Sequence, residues 1–243
     1  MITGGGRGIG AATARLAARH GYAVGVNYRR DAEAAKRVVG DIERAGGRAI
    51  GVQADVSLEH DVARLFDEVE QSLGRVTALV NNAGLLERQA RVDEMDGARL
   101  HRVLATNVVG SFLCAREAVR RMSTRYGGLG GSVVNLSSRA AVLGAAGEYV
   151  DYAASKGAVD TLTVGLAREV AAEGIRVNGV RPGLIETDIH ALGGEPERVA
   201  RLAAGVPLGR GGSPDEVARA ILWLLSDEAS YVTGTIMDVS GGR

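Results

Sequence analysis

Tyr152 and Lys156 stand four residues apart in Tyr152-Ala-Ala-Ser-Lys156, and Ser138 lies upstream in Val-Asn-Leu-Ser-Ser. On a helix, positions i and i+4 share a face, so this spacing sets an ammonium beside a phenol along one turn. A free phenol ionises near pH ~10, and a neighbouring cation favours the phenolate, bringing it toward use as a general acid or base. The spacing alone is common and equally describes a half-buried tyrosine beside a solvated lysine. The elements around it have to decide between the two.

Those elements alternate along the whole chain. Short β-like runs fall at Ala23–Asn27, Arg48–Val52, Ala78–Val80, Ser132–Leu136, Ile175–Val180 and Thr235–Val239. Between them, Ile9–His20, Ala32–Ala45, Leu58–Leu73, Thr106–Met122, Tyr152–Ala172 and Pro214–Leu225 carry apolar residues at helical spacing. This alternation predicts a doubly wound α/β fold, a parallel sheet of about seven strands with helices on both faces, and one domain over residues 1–243. Ser57 and Ser213-Pro214-Asp-Glu216 read as helix caps, and Gly46-Gly47, Gly74 and Gly174 as helix stops.

Gly4, Gly6, Gly8 and Gly10 lie between the β-like start and the helix opening at Ile9. Glycines here permit positive φ and close approach of the backbone to a pyrophosphate, whose charge a helix N-terminus stabilises. Roughly 20 residues on, where a carboxylate would bind the adenine ribose, the chain reads Asn27-Tyr28-Arg29-Arg30. Arg7 and Arg29 together suit a 2′-phosphate, which favours NADP(H) and leaves NAD(H) possible; an inward-pointing Asp31 would weaken that preference.

The rest of the composition narrows the classes. Lys+Arg and Asp+Glu both number 29, which favours neither nucleic acid nor an anionic membrane as partner. No apolar run reaches the ~18 residues of a membrane span and no signal-like segment opens the chain, so a cytoplasmic protein is expected. Cys114, the single cysteine, reads as a small core residue, and four scattered histidines offer no metal site.

Thr3-Gly-Gly-Gly-Arg-Gly-Ile-Gly10, Asp55-Val56, Asn81-Asn-Ala-Gly84, Asn107, Ser138, Tyr152-x-x-x-Lys156 and Pro182-Gly183 with Thr187 occur in one order. Over nearly its whole length the chain thereby resembles the short-chain dehydrogenase/reductase family. The resemblance implies a catalytic set of Asn107, Ser138, Tyr152 and Lys156. In it, Tyr152 exchanges a proton with the substrate oxygen, Ser138 holds that oxygen, and Lys156 lowers the phenol's pKa and binds the nicotinamide ribose. Asn107 positions a water. It also implies cofactor contacts from Thr3, Gly4, Gly6, Arg7, Gly8, Ile9, Gly10, Arg29, Asp55, Val56, Asn82, Ala83, Gly84, Pro182, Gly183, Ile185 and Thr187. Asp188 to Gly205 is the implied substrate lid, and a homotetramer or dimer the implied assembly.

Two features depart from the family's usual pattern. Ser138 and Tyr152 are separated by fourteen positions, one more than in many relatives, which places an extra residue within Gly147-Glu-Tyr-Val-Asp151 beside the pocket. Tyr149 has Ala153 at i+4 and so lacks the lysine. Before Thr3 there is only Met1-Ile2, where a central strand is expected, and we expect the natural protein to begin upstream. The implied substrate is a small carbonyl or alcohol. Sugar or glucose 1-dehydrogenase-like members look most similar, with 3-oxoacyl-carrier-protein reductases close behind; Glu148, Tyr149 and His190 would make the pocket polar. Arg88, Arg91, Arg120 and Arg121 are candidates for a basic rim that an acidic carrier protein would need. An NADP-sensing protein without catalysis is the reading from another class, and the intact Asn107, Ser138, Tyr152, Lys156 set speaks against it.

Overall fold

The computed structural model describes residues 1–243. Its strands are β1 (Val24–Tyr28), β2 (Ala49–Gln53), β3 (Ala78–Asn81), β4 (Gly131–Leu136), β5 (Ile175–Pro182) and β6 (Ile236–Val239). Every strand pair is parallel, with β1 on β2 and the run β3-β4-β5-β6 joined to them through Ile2, which bridges Val26 and Val80. Runs such as Val24-Gly-Val and Ser132-Val-Val-Asn-Leu136 are buried without alternation, as strands covered on both faces must be.

The helices are α1 (Gly8–Arg19), α2 (Ala32–Arg44), α3 (Glu59–Leu73), α4 (Gly97–Leu104), α5 (Gly110–Met122), α6 (Ala140–Leu143), α7 (Val150–Val170), α8 (Ile189–Leu192), α9 (Arg198–Leu202) and α10 (Pro214–Leu225). Two cores result. One packs Ala11, Ala14, Val38, Ile42, Val217 and Ile221 of α1, α2 and α10 against the sheet; the other packs Leu65, Phe66, Cys114, Ala118 and Val170 of α3, α5 and α7. Cys114 belongs to the second, and burial pushes its thiol up to about 12.

Six strands form instead of about seven, because the first sheet position is filled by Met1–Thr3 alone. Short as it is, this segment bonds to both neighbours: Ile2 N–H to Gly25 O (2.9 Å), Asn27 N–H to Ile2 O (3.0 Å), Val80 N–H to Met1 O (2.9 Å) and Thr3 N–H to Val80 O (3.0 Å). Ser57 does not cap α3. Its hydroxyl donates to Asp55 Oδ1 (2.7 Å), and the helix starts two residues later with Glu59 and Asp61 in its first turn. The segment 97–104, which carries none of the runs read from the sequence, is α4, and it runs into α5 through one π turn over Ala105–Val109. The remaining punctuation is where the sequence places it: Gly74 ends α3 with φ +92°, and Gly174 follows the turn after α7 with φ +79°.

At α10 the capping box is complete. Glu216 N–H donates to Ser213 Oγ (3.3 Å), Ser213 N–H to Glu216 Oε2 (2.8 Å), and Arg210 pairs with the same carboxylate at 2.6 Å. Ser213→Ala is expected to lower stability by about 1 kcal/mol, a fall in Tm of roughly 2–4 °C, measured by thermal denaturation.

Candidate active site

The C-terminal edge of the sheet opens into two connected spaces. A groove of about 760 Å³ is lined by Gly4, Gly6, Arg7, Gly8, Ile9, Arg29, Asp55, Val56, Asn82, Ala83, Gly84 and Thr187, all of them expected cofactor contacts. Beside it lies a cavity of about 210 Å³ with Ser138, Tyr152 and Lys156 in its wall, together with Pro182, Gly183, Ile185 and Thr187. Ile9, Asn82, Gly84 and Thr187 face both spaces.

The groove has the form a dinucleotide pyrophosphate requires. Gly4 and Gly8 take φ of +59° and +52°, which only glycine adopts freely. The first backbone bond of α1 runs from Ala11 N–H to Arg7 O (3.1 Å), so the amides of Gly8, Ile9 and Gly10 precede the ladder at the positive end of the helix dipole. Two expected contacts stand behind this surface instead of on it. Thr3 is buried, its hydroxyl accepting from Asn82 N–H and Ala83 N–H (both 2.9 Å), because it must tie the short first segment to the end of β3. Gly10 is buried too: a Cβ there would stand 2.5 Å from both Asn82 Nδ2 and Gly4 O.

At the adenine end, Asp31 lines the groove beside Arg29 and Arg30 while one of its carboxylate oxygens, Oδ1, caps α2 by accepting from Ala34 N–H (2.9 Å). Arg29 pairs through Nε with Asp55 (2.7 Å), whose other oxygen accepts from Ser57. Asp55 is therefore already engaged on both oxygens, a constraint on its expected contact with adenine.

α7 begins at Val150 and carries Tyr152 and Lys156 one turn apart on the cavity side. Lys156 is buried and its Nζ donates to Leu136 O at the end of β4 (2.7 Å), 5.6 Å from the centre of the Tyr152 ring. Burial pushes the ammonium down to about 8, with Asp160 one turn further on acting in the opposite direction. Burial likewise pushes the Tyr152 phenol up to about 12, opposed by the Ser138 hydroxyl. The phenol is thus held neutral. The i,i+4 spacing brings the ammonium beside the ring, but it is the backbone carbonyl of Leu136 that the ammonium bonds.

Asn107 is fully buried in the π turn and lines neither space. Its Oδ1 accepts from Leu85 N–H (2.7 Å), and its Nδ2 donates to Leu85 O (3.0 Å) and Ser155 Oγ (2.9 Å). Ser155 in turn donates to Tyr152 O (2.7 Å). Gly84 lies between Asn107 and Lys156: a Cβ on it would be 3.7 Å from Asn107 Oδ1 and 3.6 Å from Lys156 Nζ.

The cavity is less polar than Glu148, Tyr149 and His190 suggested. Glu148 is paired with Arg198 of α9, whose guanidinium sits 5.3 Å above the Tyr149 ring and also bonds Glu195 (2.8 Å). Tyr149 OH donates to Gly193 O (3.4 Å), and His190 Nε2 bonds Ile185 O (3.0 Å). The segment 188–205 is by these contacts folded down over the cavity, and Leu86, Leu143, Leu184, Ile185 and Ile189 give its wall an apolar part. Ser155, Leu136 and Arg198 carry functions the sequence reading missed. Ser155 lies inside the quoted motif, three residues from Tyr152, and its spacing was a usable signal; a backbone carbonyl and an ion pair across fifty residues give none.

Residues 4–243 match a family model described as enoyl-(acyl carrier protein) reductase. The chain is 56% identical over its full length to an uncharacterized oxidoreductase of Escherichia coli, YgfF, covering 98% of that protein. It is 42% identical, again over its full length, to 3beta-hydroxysteroid dehydrogenase 1 of Eggerthella lenta, covering 92% of it. A solved short-chain dehydrogenase/reductase of Serratia marcescens, a double mutant with two phenylalanines changed to leucine, superposes with a TM-score of 0.90 at 31% identity, over 99% of this chain and 95% of that one.

Gly10→Ala forces a methyl group into Asn82 and the Gly4 carbonyl. We expect dinucleotide affinity, read by quenching or calorimetric titration, to fall at least about tenfold, while Gly40→Ala, on α2 with open space and an ordinary φ, leaves it unchanged.

Proposed function

Given that this chain belongs to the short-chain dehydrogenase/reductase family, we propose that it interconverts a secondary alcohol and a carbonyl compound with NADP(H). The observation that carries the reading is the cavity that gathers Ser138, Tyr152 and Lys156 where it meets the glycine-lined groove. The nicotinamide cofactor, when bound, supplies or accepts the hydride. Ser138 holds the substrate oxygen, and the neutral Tyr152 phenol donates its proton to that oxygen in reduction. In oxidation the same phenol oxygen takes the proton back. Lys156 keeps a positive charge next to the phenol as it ionises, and Asp160 helps to hold the charge. Asn107 has both amide atoms committed to Leu85 and Ser155, so its part is to hold the loop under the nicotinamide against α7.

The preference for NADP(H) rests on charge. At the end of β1, Arg7, Arg29 and Arg30 line the groove, and Asp31, which also lines it, is held by capping α2 through Oδ1. A 2′-phosphate would meet three arginines at that end, with the two carboxylates beside them engaged, Asp55 with Arg29 and Asp31 as the cap of α2.

Apolar walls and internally paired charges favour a compact ring or chain alcohol over a fully hydroxylated sugar, which would leave hydroxyls facing leucine and isoleucine. The carrier-protein reading loses most of its rim: Arg91 is paired with Asp93, Arg120 with Glu117, and Arg121 with Asp67, Glu70 and Glu117. For assembly, the α5 stripe is the surface available to a second copy, with Phe112 51% exposed beside exposed Leu104 and Val109. The α7 stripe of Val159, Leu162 and Val170 is internal core. A homotetramer or dimer built on the α5 face, working in the cytoplasm, completes the reading; no helix is long and apolar enough to cross a membrane.

The reading is tested by following NADPH over cyclic and linear ketones, sugars and acetoacetyl thioesters, with NADP⁺ and the alcohols in reverse. Tyr152→Phe is expected to reduce turnover by at least about 10²-fold with NADPH binding unchanged; retained turnover removes Tyr152 from its role, and binding without any turnover in the parent protein favours a sensor. Arg7→Ala combined with Arg29→Ala is expected to raise the Kd of NADPH about tenfold or more and that of NADH little. Equal losses would refute recognition of the phosphate.

A further inference from the structure

Next to Tyr152 on α7 is a charge that the reaction does not use. Asp151 is buried, its side chain 2% exposed, and it accepts two hydrogen bonds from Arg99 of α4: Nε to Oδ2 at 2.7 Å and Nη2 to Oδ1 at 3.2 Å. The same Asp151 Oδ1 accepts from the Tyr152 backbone N–H (2.9 Å), and Arg99 Nη1 donates to Arg88 O (2.7 Å). Arg88 lies in the loop that leaves β3 and lines the cofactor groove. One ion pair therefore reaches the backbone of the proposed proton donor on one side and the groove wall on the other.

Resting on the assignment of Tyr152 as proton donor, we infer that Arg99 and Asp151 are positioning residues that fix the depth and rotation of α7's first turn relative to the groove. The geometry supports a placing role over simple packing. Asp151 and Ser155 lie one turn apart on α7 and are held by Arg99 and Asn107; Tyr152 and Lys156 are the next residue after each. Each clamp also grips the loop after β3, Asn107 at Leu85 and Arg99 at Arg88. Two clamps at two points of the same helix and the same loop remove the remaining rotation about either one. Planar, bidentate pairing is the contact that resists such rotation, and a lysine at position 99 would bond as a point charge without it.

Removing one partner leaves a buried charge alone and unfolds more than it misplaces, so the informative variant replaces both: Arg99→Met with Asp151→Leu fills the space with apolar groups. With the carbonyl compound that the parent protein reduces fastest among those named above, we expect Tm within about 4 °C of the parent, NADPH Kd within about twofold, and kcat lower by about 10²-fold with a smaller change in KM. Arg99→Lys, the variant to use should the double one not fold, is expected to keep the fold and lose kcat about tenfold. A folded double variant, or Arg99→Lys in its place, with the parent's kcat overturns the inference and makes the pair structural only. Absence of turnover in the parent protein overturns the redox reading itself, and the positioning role falls with it.

Discussion

A buried ammonium is the constraint around which the site is arranged. Lys156 sits out of water, and a charge there is tolerated only where hydrogen-bond partners stand ready. The Leu136 carbonyl, 2.7 Å away, is free because β4 ends at that residue. On the other side lies Gly84, where a Cβ would stand at van der Waals contact with both Lys156 Nζ (3.6 Å) and Asn107 Oδ1 (3.7 Å). Asp160 then stands one turn beyond as the nearest counter-charge, itself anchored by Arg181 at 2.8 Å. The end of β4 and successive turns of α7 thus have to agree for one buried charge to be held.

Much of this was legible in the chain because it is periodic or local. Parallel strands announced themselves as short apolar runs, α10 by its proline and capping box, and the glycine entrance by its position before the first helix. The i,i+4 relation of Tyr152 and Lys156 could be read without a structure because helix geometry alone sets it. Gly4, Gly6, Arg7, Gly8, Arg29, Asp55 and Asn82 to Gly84 come together in one groove because the strand ends of a parallel sheet all point to one edge.

What could not be read depends on side chains far apart in sequence or on competition between local partners. Asp31 stands in the groove wall, yet one of its oxygens caps α2 because an unsatisfied amide three residues on is a near donor. Glu148 looked like a substrate ligand until Arg198, fifty residues later, folded onto it. Spacing reports the proximity of Tyr152 and Lys156 and says nothing of dehydration, which pushes the buried phenol up. Thr3 belonged to a binding motif by position yet serves to brace it, since the short first segment has few other ways to hold β3.

The π turn over Ala105–Val109 has a geometric effect that neither helix beside it shows. Buried residues recur at every fourth position through Arg99, Val103, Asn107, Ser111 and Ala115. In an uninterrupted α-helix that spacing creeps about 40° around the axis at each step, so the fifth residue would point well away from the first. One widened turn absorbs the creep. The stripe stays trained on α7 and β3 for its whole length, and a single rod of chain delivers an ion pair, an apolar contact and an amide clamp to the same side.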